Sequence, residues 1–151
     1  MTRRDVPQIV VGVDGSEQSV EALRYAEKLA PTFGATIFAV AAWDYPAADP
    51  GFMPLGSSEF SESARSDLEK ALSAAYGEDR PAGFESTVVF AHPAKALVKA
   101  SESAVLLIVG RRGHGTFRGL LLGSVSSACV SHAHCPVLVI REDAHHAASE
   151  A

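Results

Sequence analysis

The chain has 151 residues, of which 47% are hydrophobic and 21% charged, and it contains eight prolines and twelve glycines. This composition is typical of one compact soluble domain and excludes collagen-like, disordered and disulfide-scaffold proteins. The formal net charge of −5 argues against a broad surface for nucleic acid or an anionic membrane. We therefore expect a single domain over residues 1–151, with a core from about 7 to 141 and a polar tail over 142–151.

The sequence contains no segment that predicts membrane insertion or secretion. Apolar runs such as Ala104–Val109 are far shorter than the roughly 20 residues of a membrane-spanning helix. The first residues, Met1–Gln8, lack the apolar segment of a secretory signal. These features predict a cytoplasmic protein without a membrane partner, in which Cys129 and Cys135 are free thiols.

The first part of the chain predicts a β-α-β unit. Gln8–Asp14 is a short β-branched run that ends in a turn signal, which is typical of a strand buried on both faces. Apolar residues then recur at helical spacing from Glu17 until Pro31 and Gly34 indicate the end of the helix. Thr36–Trp43 is again continuous and apolar and predicts a second strand.

The remainder of the chain alternates helices with apolar strands in the same way. A loop rich in proline and glycine precedes the second helix, and a glycine-rich loop precedes the fourth. The predicted segments are the loop Asp44–Ser58, helix Phe60–Ala75, strand Phe84–Ala91, a short helix from Pro93, strand Val105–Val109, helix Ser124–Ala133 and strand Pro136–Ile140.

Five apolar strands that alternate with four helices indicate an α/β fold, an open and mostly parallel sheet with helices on both faces. Such sheets bind small ligands beyond the carboxyl ends of their strands, where the strand order reverses. Two loops follow the carboxyl ends of predicted strands: Asp14–Ser16 after strand one and Gly110–Gly123 after strand four. The sequence therefore predicts a ligand site between these two loops.

The loop Gly110–Gly123 carries five of the twelve glycines. Glycine allows positive φ and lets backbone amides approach a ligand closely, as an anion-binding nest requires. Arg111, Arg112 and Arg118 add positive charge that can offset a polyphosphate. The ordered glycines and lysine of a P-loop and the Gly-x-Gly-x-x-Gly of a dinucleotide site are both absent. These features predict a phosphate site of another kind.

The helix that follows this loop offers further groups for a phosphate. The backbone amides of Ser124, Val125 and Ser126 have no intrahelical acceptor and lie at the positive end of the helix dipole. The Ser124 hydroxyl can bind a phosphate oxygen or a Mg²⁺ ion carried by the phosphates. The alternative interpretation is that the glycines only shape a tight turn and that Ser124 caps the helix.

Three landmarks together resemble the universal stress protein family. Gly110-x2-Gly113-x9-Gly123-Ser124 is similar to the nucleotide signature of that family. Val10–Ser16 resembles its opening strand and turn, and Cys135–Val139 resembles its closing strand. The resemblance implies a Rossmann-like sheet in strand order 3-2-1-4-5. It also implies ATP binding, as in many members, and homodimers that pair through the last strand.

The nucleotide that the resemblance implies is ATP, with ADP or AMP as alternatives, bound with Mg²⁺. The resemblance further implies which positions hold it. Val105 and Ala91 stand where the family commonly has Asp and Gly, which leaves the local turn geometry open outside the signature. The implied site consists of Gly12 and Val13 beside the adenine, Ala42 in the base pocket, Asp14 facing the nucleoside, Val109 at the end of strand four, Gly110 and Arg112 near the ribose and phosphates, and Gly113, Gly123, Ser124, Val125 and Ser126 on the triphosphate.

Asp14, at the end of a central strand, is open to three roles on residue type alone. It can bind a ribose hydroxyl, cap the next helix or accept a phosphoryl group. A phosphoryl-accepting receiver needs further carboxylates and a lysine after strand five, whereas Lys99 is the last lysine of the chain. We set that role aside and favour the ribose contact over the cap.

The last strand is predicted to lie at an edge of the sheet, which proteins usually cover or pair. An apolar edge strand predicts a homodimer that pairs through it, and the pairing residues are Val137, Leu138, Val139 and Ile140.

His132, His134 and Cys135 lie close together in the sequence but lack the spacing of a structural zinc site, so no protein metal site is expected around them.

The favoured function is an ATP-binding, regulatory stress-response module with an unidentified protein partner. No Ser-His-Asp set or pair of carboxylates is apparent near the loop, which favours binding over catalysis. Two alternatives stay open. One is a slow ATPase or phosphotransferase that uses His114 or Asp14, and the other is a nucleotide-free protein-interaction domain.

Overall fold

The computed structural model describes residues 5–44, 57–111 and 122–141. Strands and helices alternate throughout these residues, and no helix among them combines the length and apolarity of a membrane span. The elements are β1 Gln8–Gly12, α1 Glu17–Phe33, β2 Thr36–Trp43, α2 Ser57–Tyr76, β3 Glu85–Phe90, α3 Pro93–Ser101, β4 Leu106–Gly110, α4 Ser124–His132 and β5 Val137–Ile140.

The strands form one parallel sheet in the order β3-β2-β1-β4-β5, which confirms the predicted fold. β1 lies in the middle, between β2 and β4. Ile9 pairs with Leu106 and Val11 with Ile108, and all of these side chains are buried. A parallel strand covered on both faces must be apolar along its length, so β1 and β4 are continuous apolar runs.

Helices cover the sheet on both faces. α1 and α2 pack over a core that includes Ile9 and Val11, whereas α3 and α4 pack over one that includes Val10 and Leu107. Successive residues of a strand point to opposite faces, so Val10 belongs to one core and its two neighbours to the other. α3 and α4 therefore share one face of the sheet.

Some element boundaries differ from the predicted ones. α2 begins at Ser57, inside the segment predicted as a loop, rather than at Phe60. β5 begins at Val137 rather than at Pro136. Proline has no N–H for the ladder, although the Pro136 carbonyl still accepts a hydrogen bond from Leu107 N at 3.0 Å.

Ser101, at the end of α3, connects the helix layer to the segment that leads into β5. Its side chain is fully buried. The Ser101 hydroxyl donates to the Val98 carbonyl at 2.6 Å and accepts from the His134 amide at 2.9 Å. One hydroxyl therefore joins α3 to the loop between α4 and β5.

We expect Ser101→Ala to lower the free energy of unfolding by about 1–3 kcal/mol, because the His134 N–H loses its acceptor in a partly buried place. Ser103→Ala, at an exposed position nearby, should stay within about 0.5 kcal/mol of the parent. Urea unfolding followed by circular dichroism measures both variants. Equal stability of the two would contradict the role assigned to the Ser101 hydroxyl.

Candidate functional site

The carboxyl ends of β1 and β4 lie side by side at one edge of the sheet. β1 leads through α1 to β2 on one side, whereas β4 leads through α4 to β5 on the other. The strand order therefore reverses between β1 and β4. Small ligands of α/β sheets bind in the crevice that such a reversal opens.

α4 begins beside this crevice with an uncapped amino end. Its N-cap residue Gly123 has an extended conformation, with φ −73° and ψ 173°, and makes no side-chain cap. The helical ladder starts at Ser127, whose amide donates to the Gly123 carbonyl at 2.9 Å. The amides of Ser124, Val125 and Ser126 therefore lack an intrahelical acceptor at the positive end of the helix. This arrangement is suited to an anion.

The backbone of Arg111, directly after β4, fixes the position of that helix end. Its carbonyl accepts from the Gly123 amide at 2.8 Å and from the Ser126 hydroxyl at 2.6 Å. Its amide donates to the Ile140 carbonyl at 2.8 Å. One residue therefore connects the ends of β4 and β5 to the first turn of α4.

The serines of the first turn of α4 have different environments. Ser126 is 2% exposed, and its hydroxyl is engaged by the carbonyls of Arg111 and Gly123. Only its backbone amide is left for a ligand. Ser124 is exposed, so its hydroxyl is accessible, and Val125 packs partly into the core beneath.

The Arg111 side chain adds a donor, whereas residue type alone identifies it only as a positive charge. Its Nε–H is buried and has no hydrogen-bond partner among the described residues. A buried charged donor without an acceptor costs roughly 1–3 kcal/mol or more. An anionic ligand would satisfy it, and composition alone gave no signal that separates Arg111 from Arg112.

Asp14 follows β1 and shapes the turn into α1. Its Oδ1 accepts a hydrogen bond from the Ser16 amide at 2.9 Å, and its side chain is exposed. The cap of α1 is Ser16, whose hydroxyl accepts from the Ser19 amide at 3.2 Å. The capping role considered for Asp14 therefore falls to Ser16, and the carboxylate of Asp14 faces outward.

Gly12 and Val13 at the end of β1 are held by packing and pairing. A Cβ added at Gly12 would lie 2.8 Å from Leu97 Cδ1 and 3.4 Å from Val109 Cγ1, so glycine here lets α3 approach the strand ends. Val13 is 5% exposed, and its amide donates to the Val40 carbonyl at 2.9 Å. The Val13 N–H is therefore engaged within the sheet.

Ala42 and Trp43 at the end of β2 point to opposite faces. Ala42 pairs with Val89, on the face of α3, and lies two positions beyond the partner of Gly12 in the ladder. Trp43 packs against Phe90 on the other face, with ring centroids 4.6 Å apart. Ala42 is thus the β2 residue that borders the crevice on the α3 side.

The structure brings many of the predicted site residues to one edge of the sheet. Arg112 and Gly113 lie outside the described residues, as do His114 and Arg118. Those at the described edge are Gly12, Val13, Asp14, Ala42, Val109, Gly110, Gly123, Ser124, Val125 and Ser126.

The described part of the chain offers neither a metal centre nor an activated thiol. No group of three or more His, Cys, Asp or Glu side chains within it is arranged to hold a metal ion. Burial raises the pKa of the free Cys129 thiol to about 11, with a further contribution from Cys135, and burial also raises the pKa of Cys135. Both thiols are therefore protonated near neutral pH and are not activated as nucleophiles.

The model of the universal stress protein family matches residues 6–141 of the chain. The chain belongs to this family. The match includes both strands that border the crevice and the whole of α4.

Curated universal stress proteins and a solved structure agree with this assignment. One from Mycobacterium bovis is 36% identical over 143 residues, and the match covers 89% of this chain and 45% of that protein. One from Methanocaldococcus jannaschii is 31% identical over 143 residues, and the match covers 89% of this chain and 82% of that protein. A universal stress protein solved in complex with cAMP is 28% identical, with a TM-score of 0.64 and coverage of 89% and 95%. The chain thus spans less than half of the mycobacterial relative.

We expect Ser126→Ala to lower the stability of this universal stress protein by about 1 kcal/mol, because the buried hydrogen bond to the Arg111 carbonyl is lost. Ser124→Ala, at the exposed neighbouring serine, should change it by less than about 0.5 kcal/mol. Thermal and urea unfolding measure the pair. A larger loss of stability for Ser124→Ala than for Ser126→Ala would contradict the assignment of Ser126 as the buried, hydrogen-bonded serine and Ser124 as the exposed one.

Proposed function

We propose that this universal stress protein binds an adenine nucleotide, ATP with Mg²⁺, in the crevice between β1 and β4. The observation that carries the proposal is the uncapped amino end of α4, which is anchored to Arg111, whose buried Nε–H has no partner among the described residues. Within this part of the chain these donors lack acceptors, and a phosphate supplies oxygens that carry negative charge. The 28% identical structure in complex with cAMP supports an adenine nucleotide as the ligand class.

The proposed contacts follow from the donors and surfaces at the crevice. Phosphate oxygens would accept from the amides of Ser124, Val125 and Ser126 and from Arg111, and the Ser124 hydroxyl would bind phosphate or Mg²⁺. Mg²⁺ would reduce the charge repulsion within the polyphosphate. The remaining proposed contacts are Gly12, Val13, Ala42 and Val109 around the base, Asp14 at the ribose, and Gly110, Arg112, Gly113 and Gly123 along the phosphates.

We propose a regulatory binding role rather than catalysis, in which nucleotide occupancy changes the surface offered to a protein partner. The hydrolysis alternative depends on His114 or Asp14, and product release in a single turnover, lost in His114→Ala, would support it. The cytoplasmic location, the single-domain organisation and the protein partner remain predictions from the sequence.

We expect Ser124→Pro to weaken MgATP binding about 10- to 100-fold, because it removes one charge-assisted amide donor. Proline is well tolerated at the first position of a helix, and the extended Gly123 suits the residue before proline. The fold should therefore survive. Calorimetric titration of the full chain with MgATP, ADP, AMP and cAMP measures the loss and ranks the ligands.

Ser124→Ala is the matched control, since it removes the same hydroxyl but keeps the amide, and it should lose less affinity than Ser124→Pro. Arg111→Gln provides a second variant that leaves the backbone junction in place. Undetectable heat for the parent with every nucleotide, or equal affinity of parent and Ser124→Pro, would contradict the proposal.

We also propose that two copies of the chain pair through β5, an edge strand of the described sheet. The carbonyls of Pro136 and Ile140 accept hydrogen bonds from the β4 side. Alternate residues of a parallel strand face the same neighbour, so Val137 and Val139 direct their N–H and C=O groups outward. These apolar side chains are only partly buried, and pairing would cover them.

We expect Val139→Pro to shift the protein toward monomer, with at least a tenfold weaker dimer, because proline removes an outward N–H. The β4–β5 ladder should be kept, since this N–H does not face β4. Val139→Thr retains the amide and most of the side-chain volume and serves as the control. Sedimentation equilibrium measures both, and a monomeric parent or an undiminished Val139→Pro dimer would refute the pairing.

A further inference from the structure

α3 and the outer strands of the sheet border an open groove that the nucleotide proposal does not use. α3 packs over β1, β2 and β4 but leaves the neighbouring surface of β2 and β3 open. The groove has a volume of about 370 Å³, within the range of pockets that bind small molecules. It runs along the side of the sheet, whereas the crevice lies beyond the strand ends.

The groove is apolar because of strand alternation and two small helical residues. Phe38, Val40 and Val89 project from β2 and β3 toward the α3 side. α3 directs Leu97 into the core but lines the groove with Ala96 and Ala100. These alanines lie four residues apart on one face of the helix, and their small side chains leave the space open.

The charged residues that line the groove are lysines. Lys95 and Lys99 are one helical turn apart and exposed, and the lining contains no acidic residue. Lys99 forms a surface ion pair with Glu102 at 3.1 Å, whereas Lys95 has no ion-pair partner among the described residues. The surface beside the groove is therefore locally positive, although the net charge of the chain is −5.

We propose that the groove binds a medium-chain fatty acid. The alkyl chain lies along Phe38, Val40 and Val89, where its burial removes apolar surface from water. The carboxylate pairs with the ammonium of Lys95, with Lys99 one turn further along the same helix. A second copy seated symmetrically on the groove would bring like-charged lysines together, which disfavours that occupant.

Calorimetric titration of the full chain with decanoate below its micelle concentration tests the proposal. We expect one site per chain and at least a tenfold loss of affinity in Ala96→Phe, whose ring fills the groove. Ala74→Phe, which adds the same ring at an exposed position on α2, should bind decanoate like the parent. Ala100→Leu gives a second groove-filling variant if Ala96→Phe does not fold.

Charge is tested separately from shape. The double variant Lys95→Gln and Lys99→Gln should bind decanoate at least tenfold more weakly, whereas Lys70→Gln on α2 should not. Uncharged 1-decanol should bind the parent at least tenfold more weakly than decanoate does.

Four results would overturn the proposal. They are no detectable heat with decanoate, undiminished binding in a folded groove-filled variant, undiminished binding in the double lysine variant, and equal affinity for decanoate and 1-decanol. In the first case, self-association that Ala96→Phe abolishes would assign the groove to a second copy. None of these results bears on MgATP binding, which uses different residues.

Discussion

The hydrogen bonds made by the backbone of Arg111 are the constraint on which the candidate site depends. Its carbonyl holds the Gly123 amide and the Ser126 hydroxyl, and its amide is bonded to Ile140. The start of α4 is thereby fixed to the end of β4, next to the end of β1. A helix end has anion-binding donors wherever it lies. This junction brings those donors to the point where the strand order reverses.

The same junction divides the donors into those used by the fold and those left over. The hydroxyl of Ser126 and the amide of Gly123 are used to hold the helix. Among residues 5–44, 57–111 and 122–141, nothing accepts from the Nε–H of Arg111, the first-turn amides have no intrahelical acceptor, and the N-cap, Gly123, has no side chain to offer. Leaving donors unpaired costs stability, and an anion that pairs with them recovers it. This division of donors is the physical basis of the proposal that an anion binds here.

The alternation of strands and helices was predictable because its signals are local, whereas the strand order was implied by the family resemblance. A continuous apolar run identified β1 as a central strand, and the spacing of Gly110, Gly123 and Ser124 identified the helix end that lies at the crevice. The roles of single residues were not predictable to the same extent. Gly12 gives Leu97 room to pack closely, and the selection of Arg111 follows from burial. Both depend on contacts between residues distant in sequence, which periodicity does not report.

α3 connects the two surfaces proposed for ligands. Leu97 lies against the end of β1, where the absence of a Cβ at Gly12 leaves room for its methyl groups. Ala96 and Ala100, on an adjacent face of the same helix, line the groove over β2 and β3. Because Leu97 already packs closely at Gly12, movement of α3 toward β1 would require repacking, and an occupant of the groove has room on the open sheet surface instead. The groove is therefore bounded on one side by the same packing that shapes the crevice.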